Sequence, residues 1–336
     1  MDILVVDFLG KPVWSWLGFF VLVFLLLVFD LGVLQRKSHE IGVRESLLLS
    51  AFYITIGLLF SIWVWSFLGE RAALQYLTGF IVEKSLALDN IFVIAMIFGY
   101  FGVPRAYQHR VLVYGIIGVV ILRGIMIGLG AAVIARFDWV LLVFAAFLIF
   151  TGIKMLMTGG SEYDVASNPV LRFMRSRFRV TDELHGERFF ARVENTTTGK
   201  AAVFVTPLFL ALVMVELADV IFAVDSIPAI FAITQDPYII YTSNIFAILG
   251  LRALYFALSA MIHRFAYLPT ALSLVLIFIG GKVIAAELLA LEKVPASISL
   301  GVTLAILLGG IAFSLWRTRA TVVEPPVPAS TSEVGE

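Results

Sequence analysis

The chain has 336 residues, 61% of them hydrophobic and 14% charged, with a mean hydropathy of +1.01. A soluble domain of this size could not bury so much apolar surface, so the composition specifies a membrane protein that crosses the bilayer several times. The 24 basic and 24 acidic side chains cancel, which argues against nucleic acid as a partner, and the lack of cysteine excludes disulfides, thiolate metal sites and cysteine nucleophiles.

In chain order, the N-terminus carries Asp2 and Asp7 without a basic cluster, unlike a cleavable signal peptide, so the first helix is expected to persist. Membrane-length apolar stretches run at about 13–34, 44–68, 72–100, 111–135, 138–158, 201–233, 238–261, 266–290 and 296–316. The alternation of an outer-membrane barrel is absent. The expected fold is therefore an all-α polytopic membrane protein of about nine transmembrane helices.

Lys and Arg placement sets the orientation. One set of loops holds fifteen basic residues, from Arg36 to Arg319, against four in the other set: Lys11, Arg71, Arg136 and Lys293. This places the N-terminus outside the membrane and the C-terminus in the cytoplasm.

Two copies of one pattern follow each other. Glu83 precedes Asp89 by six residues in EKSLALDNIFVIA, and Asp219 precedes Asp225 by six in DVIFAVDSIPAIF. Leu122-Arg123 and Phe150-x-Gly152-x-Lys154 follow the first copy; Leu251-Arg252 and Phe278-x-Gly280-x-Lys282 follow the second. The Arg-to-Lys separations are 31 and 30 residues. Matched landmarks in one order define two repeats, and three helices each make the second insert upside down. The chain then divides into helices 1 and 2 (1–70), repeat 1 (71–158), a cytoplasmic linker (159–200), repeat 2 (201–292), helix 9 (293–320) and a Pro/Ser-rich disordered tail (321–336). Inverted repeats with polar residues near mid-membrane are transporter architecture.

The linker reads as a solvated segment with one amphipathic piece (VLRFMRSRF), or alternatively as a gate over the cytoplasmic mouth. Its Gly199-Lys200 pair is no phosphate loop, because Glu194 stands where the first glycine belongs. The sequon at Asn195 falls on the cytoplasmic side, where glycosylation is not expected.

Ionised groups at bilayer depth cost kilocalories each and by default mark an ion or proton path. The predicted spans contain the acids Asp30, Glu83, Asp89, Glu216, Asp219, Asp225 and Glu287, and the bases Lys84, Arg123, Lys154, Arg252 and Lys282. If all were ionised, one divalent cation would balance the surplus of two negative charges. All four histidines (His39, His109, His185, His263) fall in predicted cytoplasmic segments, so an intramembrane site has chiefly oxygen donors. Such donors suit Mn²⁺, Mg²⁺ or Ca²⁺ and argue against dedicated copper or zinc sites. Met214 either adds softness favouring Mn²⁺ or packs as an ordinary apolar side chain.

Glu83, Asp89, Glu216, Asp219 and Asp225 are the expected metal ligands, with Asn90, Ser226, Asn244 and Asp30 as accessory groups. For Asp30 the competing reading is an ordinary interfacial acid. Lys84, Arg123, Arg252, Lys154 and Lys282 are the expected counter-charges, and Lys84 either pairs with Glu83 or competes with the metal as a tethered cation. The competing reading of the acids is ion-pair glue between helices, for example Asp89 with Arg252 or Asp225 with Arg123. Geometry poses a difficulty, because residues six apart on an unbroken helix differ by about 240°. A local break relieves it: Pro228 frees the carbonyl of Val224 beside Asp225, and Gly79 and Asn90 are the weaker breakers in the first copy.

These segments resemble the TerC family of integral membrane proteins, which includes alkali-inducible manganese exporters of the Alx type. The resemblance runs through FDLGVLQRKSHEIGVRESLLLSAFYI (29–54), EKSLALDNIFVIAMIFGYFGVP (83–104) and VELADVIFAVDSIPAIFAITQDPYIIYTSNIFAILGLRALYF (215–256). It implies Mn²⁺ export from the cytoplasm, with Glu83, Asp89, Asp219 and Asp225 as ion-binding groups. The family's name derives from tellurium resistance, and plant relatives are linked to insertion of thylakoid membrane proteins. The expected function is thus a secondary exporter of divalent cations, Mn²⁺ as transported ion rather than prosthetic group, with no nucleotide partner and no enzymatic activity. Proton antiport is the hypothesis that its titratable acids motivate. The alternative is a non-transporting scaffold or assembly factor linked to tellurium or metal stress.

Overall fold

The computed structural model describes residues 6–34, 43–137, 139–158, 165–166, 168–181, 183–194, 201–258, 267–288 and 294–318. His39, His263, Asn195, Gly199, Lys200 and the tail lie outside these residues, as do the side chains of Asp30, Asp89, Asp225 and Arg252. The described residues are mostly helical, and among them no sheet closes.

A tight hairpin opens the fold. Strands β1 (Asp7–Phe8) and β2 (Lys11–Pro12) turn through Leu9 and Gly10 at φ 53° and 79°, the positive angles that two-residue hairpin loops require. Lys11 pairs with Asp236 at 2.9 Å, tying the hairpin to a later loop on the same face of the molecule.

Five helices follow: α1 (Val13–Leu34), α2 (Val43–Leu68), α3 (Glu70–Tyr100), α4 (Arg105–Arg136) and α5 (Val140–Thr158). After them come the short helix α6 (Pro169–Arg177), strands β3 (Phe190–Glu194) and β4 (Ala201–Val205), α7 (Pro207–Phe231), α8 (Pro237–Leu249), α9 (Leu251–Leu258), α10 (Leu268–Leu288) and α11 (Ala296–Thr318). Among the described residues seven segments are long and apolar enough to cross a membrane: α2, α4, α5, α7, α8 running into α9, α10 and α11. The apolar stretch of α1 is shorter (Val13–Phe29). Helix α3 has the length, 31 residues, but carries Glu70, Arg71, Glu83, Lys84 and Asp89.

Apolar side chains both fill the core and cover much of the perimeter, while some charged ones turn inward: Phe24 (65% exposed) and Leu129 (63%) face outward, and Glu83 and Arg123 are buried at 2% and 1%. An apolar perimeter suits a lipid solvent. At the centre α3 and α7 run antiparallel: Gln75 reaches the carbonyl of Ile233, Gly79 abuts Ile230, and Asn90 shares a cavity with Asp219. Helix α8 packs on α3, α7 packs on α4, and α8 is buried along its whole length from Tyr238 to Leu249.

Helices α5 and α10 form a second antiparallel pair, and their closest approach is reciprocal. A Cβ at Gly152 would meet the Ser273 carbonyl at 2.8 Å and Ile277 at 2.7 Å; one at Gly280 would meet the Ala145 carbonyl at 2.6 Å and Ile149 at 2.9 Å. Each of these residues and its counterpart are 128 positions apart. Only glycine permits such backbone approach.

Three expectations change. The stretch read as a span at 201–233 begins with β4, so the membrane helix starts only at Pro207. The span read at 238–261 is interrupted at Gly250 between α8 and α9. The amphipathic piece read in the linker is α6, and with β3 of the linker and β4 just beyond it this helix forms a folded unit rather than a solvated segment. Arg179–Thr181 hydrogen-bonds to Val205, and the Thr206 hydroxyl donates to the carbonyls of Arg188 and Phe189.

Candidate ion-binding site

Four helices contribute to one buried centre. Arg123 comes from α4, Glu83 from α3, Asp219 and Ser226 from α7, and Asn244 from α8. The Arg123 Nη1 donates to Glu83, to Ser226 Oγ at 2.8 Å and to Asn244 Oδ1 at 2.7 Å. Its Nε and Nη2 grip the two oxygens of Asp219 at 3.3 and 3.2 Å. The planar fork of a guanidinium matches a carboxylate in this two-pronged way, which an ammonium cannot do. One guanidinium thus gathers two carboxyl groups at a buried point.

The periodicity difficulty has a different solution from the one expected. Both α3 and α7 continue without a break through the acidic segments, and Pro228 sits inside an unbroken α7. Groups seven apart, two helical turns, share a face instead. Glu83 and Asn90 line one pocket of about 70 Å³ with Arg123 and Ser226. Asp219 and Ser226 both bond to Arg123. Gly79 and Asn90 do not kink α3; Gly79 is a contact point for Ile230 and Ser243.

Arg123 binds Glu83 and Asp219 across the two copies; the pairs Asp89 with Arg252 and Asp225 with Arg123 involve side chains outside the described residues. Lys84 turns away from Glu83: its Nζ donates 2.7 Å to the carbonyl of Ala247, next to the interruption at Gly250. There a cation faces the carbonyl-rich, partly negative end of α8. Lys282 donates to Ser299 Oγ at 2.9 Å, and Lys154 lies on the exposed face of α5.

Glu216 stands beside this centre, three residues before Asp219. Both its carboxyl oxygens are buried without a hydrogen-bond partner, as is Asn90 Oδ1. The carboxyl occupies a socket made by Gly115 and Gly118 of α4, where any Cβ at Gly118 would overlap it. Buried acceptors of this kind mark places where a cation or a proton is wanted. Gly115-x-x-Gly118, one small stripe on one helical face, is the sequence signal that could have disclosed the socket. Among the described residues no three His, Cys, Asp or Glu side chains converge as a ready metal cage. The donors that do converge are carboxylate, amide and hydroxyl oxygens, the set that hard divalent cations accept.

On another side of α3, a vestibule of about 950 Å³ is lined by Glu70, Gln75, Thr78, Thr234, Lys282 and Glu287 among others. It stops short of Glu83, about 7.5 Å along α3 from Thr78 at 1.5 Å per residue. Thr234 Oγ1 donates to Gln75 Oε1 at 3.1 Å in its lining.

A polar centre buried among long apolar helices defines a multi-pass integral membrane protein. Residues 68–322 match the TerC family of integral membrane proteins, and the chain belongs to that family. Among its relatives are an "Uncharacterized membrane protein" of Rickettsia bellii, 46% identical over 90% of this chain and 97% of its own. A protein of Escherichia coli K12, provisionally named a "membrane-bound redox modulator Alx", is 43% identical over 91% of this chain and 95% of its own. Its Salmonella typhi counterpart is 44% identical over the same shares. No solved structure matches the chain.

Proposed function

We propose that this protein is a secondary transporter exporting divalent cations, Mn²⁺ foremost, from the cytoplasm of a bacterial cell. The observation that carries the reading is the Glu83–Arg123–Asp219 centre, in which acids from both sequence copies meet at one buried point. Nine spans complete the proposal, with α1 and α3 joining the seven apolar ones, the N-terminus outside and the C-terminus inside. The reciprocal seating of Gly152 and Gly280 supports two inverted three-helix repeats, since a two-fold axis in the membrane plane demands such reciprocity.

In this reading Arg123 holds the acids while the site is empty of metal. An entering cation takes over Glu83 and Asp219, with the unpartnered oxygens of Glu216 and Asn90 available to complete its shell. Asp89 and Asp225 belong to the same set by their place in the repeat. Exit runs through the vestibule once the Gln75–Thr234 contact opens.

One observation favours the rival: Arg123 already satisfies both acids, as expected of ion-pair glue in a scaffold. The relative's name points to redox chemistry, but this chain has no cysteine and so no thiol pair of its own.

Total cellular manganese after a Mn²⁺ load separates the readings. Cells carrying the wild type should hold less manganese than cells with empty vector, and Asp89→Asn or Asp225→Asn should abolish the difference at equal membrane abundance. Equal manganese in all four strains would support the scaffold.

A further inference from the structure

The folded unit between α5 and α7 has a surface that the transport reading does not use. We propose that it is a platform binding the anionic headgroups of phospholipids in the leaflet against which it rests.

Its position comes first. Phe190 packs on Phe209 in the first turn of α7 at 4.9 Å, and Phe189 meets Tyr114 of α4 edge-on at 5.2 Å. Arg110, near the start of α4, pairs with Glu187 at 3.3 Å and lies 5.5 Å from the Phe189 ring. The unit therefore sits on the opening turns of two membrane helices, the depth at which headgroups lie.

Its two faces differ. Leu171 and Met174 of α6, with Ala191 and Val205 of the hairpin, are buried against the bundle. Three residues apart, Leu171 and Met174 define the inner side of α6, which leaves Arg172, Phe173 and Arg177 on the outer side. Arg175, Arg179, Arg188 and Arg192 are exposed as well, while Glu183 is the one exposed acid among the unit's described side chains. Between these arginines stand Phe173 (62% exposed), Phe178 (48%), Phe190 (53%) and Val203 (59%).

Arginine forks suit phosphate oxygens, and exposed aromatic rings suit the headgroup boundary. A short basic amphipathic helix held at that depth lies in the plane of the interface. A purely solvated unit would gain nothing from four exposed apolar side chains; an acidic protein would meet the charges but not the depth. Anionic phospholipid satisfies both.

The test uses the cysteine-free background. Ser176→Cys in the full-length protein supplies a single thiol for an environment-sensitive nitrobenzoxadiazole label, read in nanodiscs of phosphatidylcholine or of equal parts phosphatidylcholine and phosphatidylglycerol. Phosphatidylglycerol should shift the emission to the blue and expose the label to quenching by bromine-labelled lipid, and both effects should fade in high salt. Arg172→Gln, Arg177→Gln and Arg179→Gln together should abolish the lipid-dependent shift, while the same three positions changed to Lys should keep most of it. Arg136→Gln, outside the unit, should leave it unchanged. Identical emission in the two lipids, or a shift indifferent to the triple Gln variant, overturns the proposal. So does a shift that appears only when a disc holds two copies, which would assign the surface to self-association. Because no cation transport is measured, failure here leaves the proposed export untouched, and failure of export leaves this result standing.

Discussion

Replacing Arg123 by Gln removes the only cation bonded to Glu83 and Asp219 among the described residues. The side chain is 1% exposed and hydrogen-bonds to four other side chains. Its loss leaves two carboxylates buried in a low-dielectric bundle, where breaking a buried ion pair from one side costs about 3–5 kcal/mol. At about 1.4 kcal/mol per decade, that is two to three and a half orders of magnitude in the unfolding equilibrium. Removing an acid at the same time relieves part of the cost, so Arg123→Gln/Asp219→Asn should be less destabilised than the sum of its single variants by about 0.5–3 kcal/mol. The assay is unfolding in mixed micelles with increasing dodecyl sulfate, followed by tryptophan fluorescence. A loss below about 1 kcal/mol for Arg123→Gln, or strictly additive costs, would refute the placement of a desolvated charge at the centre.

Further expectations follow from the same geometry. Mn²⁺ at a hundred times the dissociation constant of Arg123→Gln should stabilise that variant by about 2.7 kcal/mol and the wild type by less, because no guanidinium competes for the acids; unfolding midpoints with and without metal check this. Gly152→Val and Gly280→Val should each cost about 1–3 kcal/mol through the same α5–α10 overlap, and similar losses in the two variants would match the reciprocal contacts. Lys84→Met should leave the Ala247 carbonyl without its 2.7 Å donor at a cost of about 1–3 kcal/mol, read as faster hydrogen exchange around Gly250.

Much of this fold is legible in the sequence because a membrane simplifies the code. Apolar length alone places α2, α10 and α11 within a few residues, since lipid allows only backbone that satisfies itself. The site is legible in composition but not in pairing. Glu83, Asp219 and Arg123 stand out as charges in apolar runs, yet nothing in their spacing says that one arginine of the first copy gathers an acid from each. Helical phase would have favoured Glu83 with Asn90 and Asp219 with Ser226 over partners six apart, but a proline beside Asp225 pointed to a break that packing suppresses. Lys84 was harder still: its partner is a main-chain carbonyl 163 residues away, freed by an interruption at a glycine within an otherwise apolar run. The β3–β4 hairpin escaped notice because its Val- and Phe-rich strand runs straight into α7 and reads as the start of a membrane helix.

The most direct test of the central claim is Mn²⁺ flux into vesicles containing purified protein and a trapped Mn²⁺-quenched dye. Wild-type vesicles should quench rapidly, while Glu83→Gln and Asp219→Asn, one acid from each copy, should both fall to the rate of protein-free vesicles although each is reconstituted as folded protein in equal amount. Flux that survives either substitution would contradict a single cation site built from both halves.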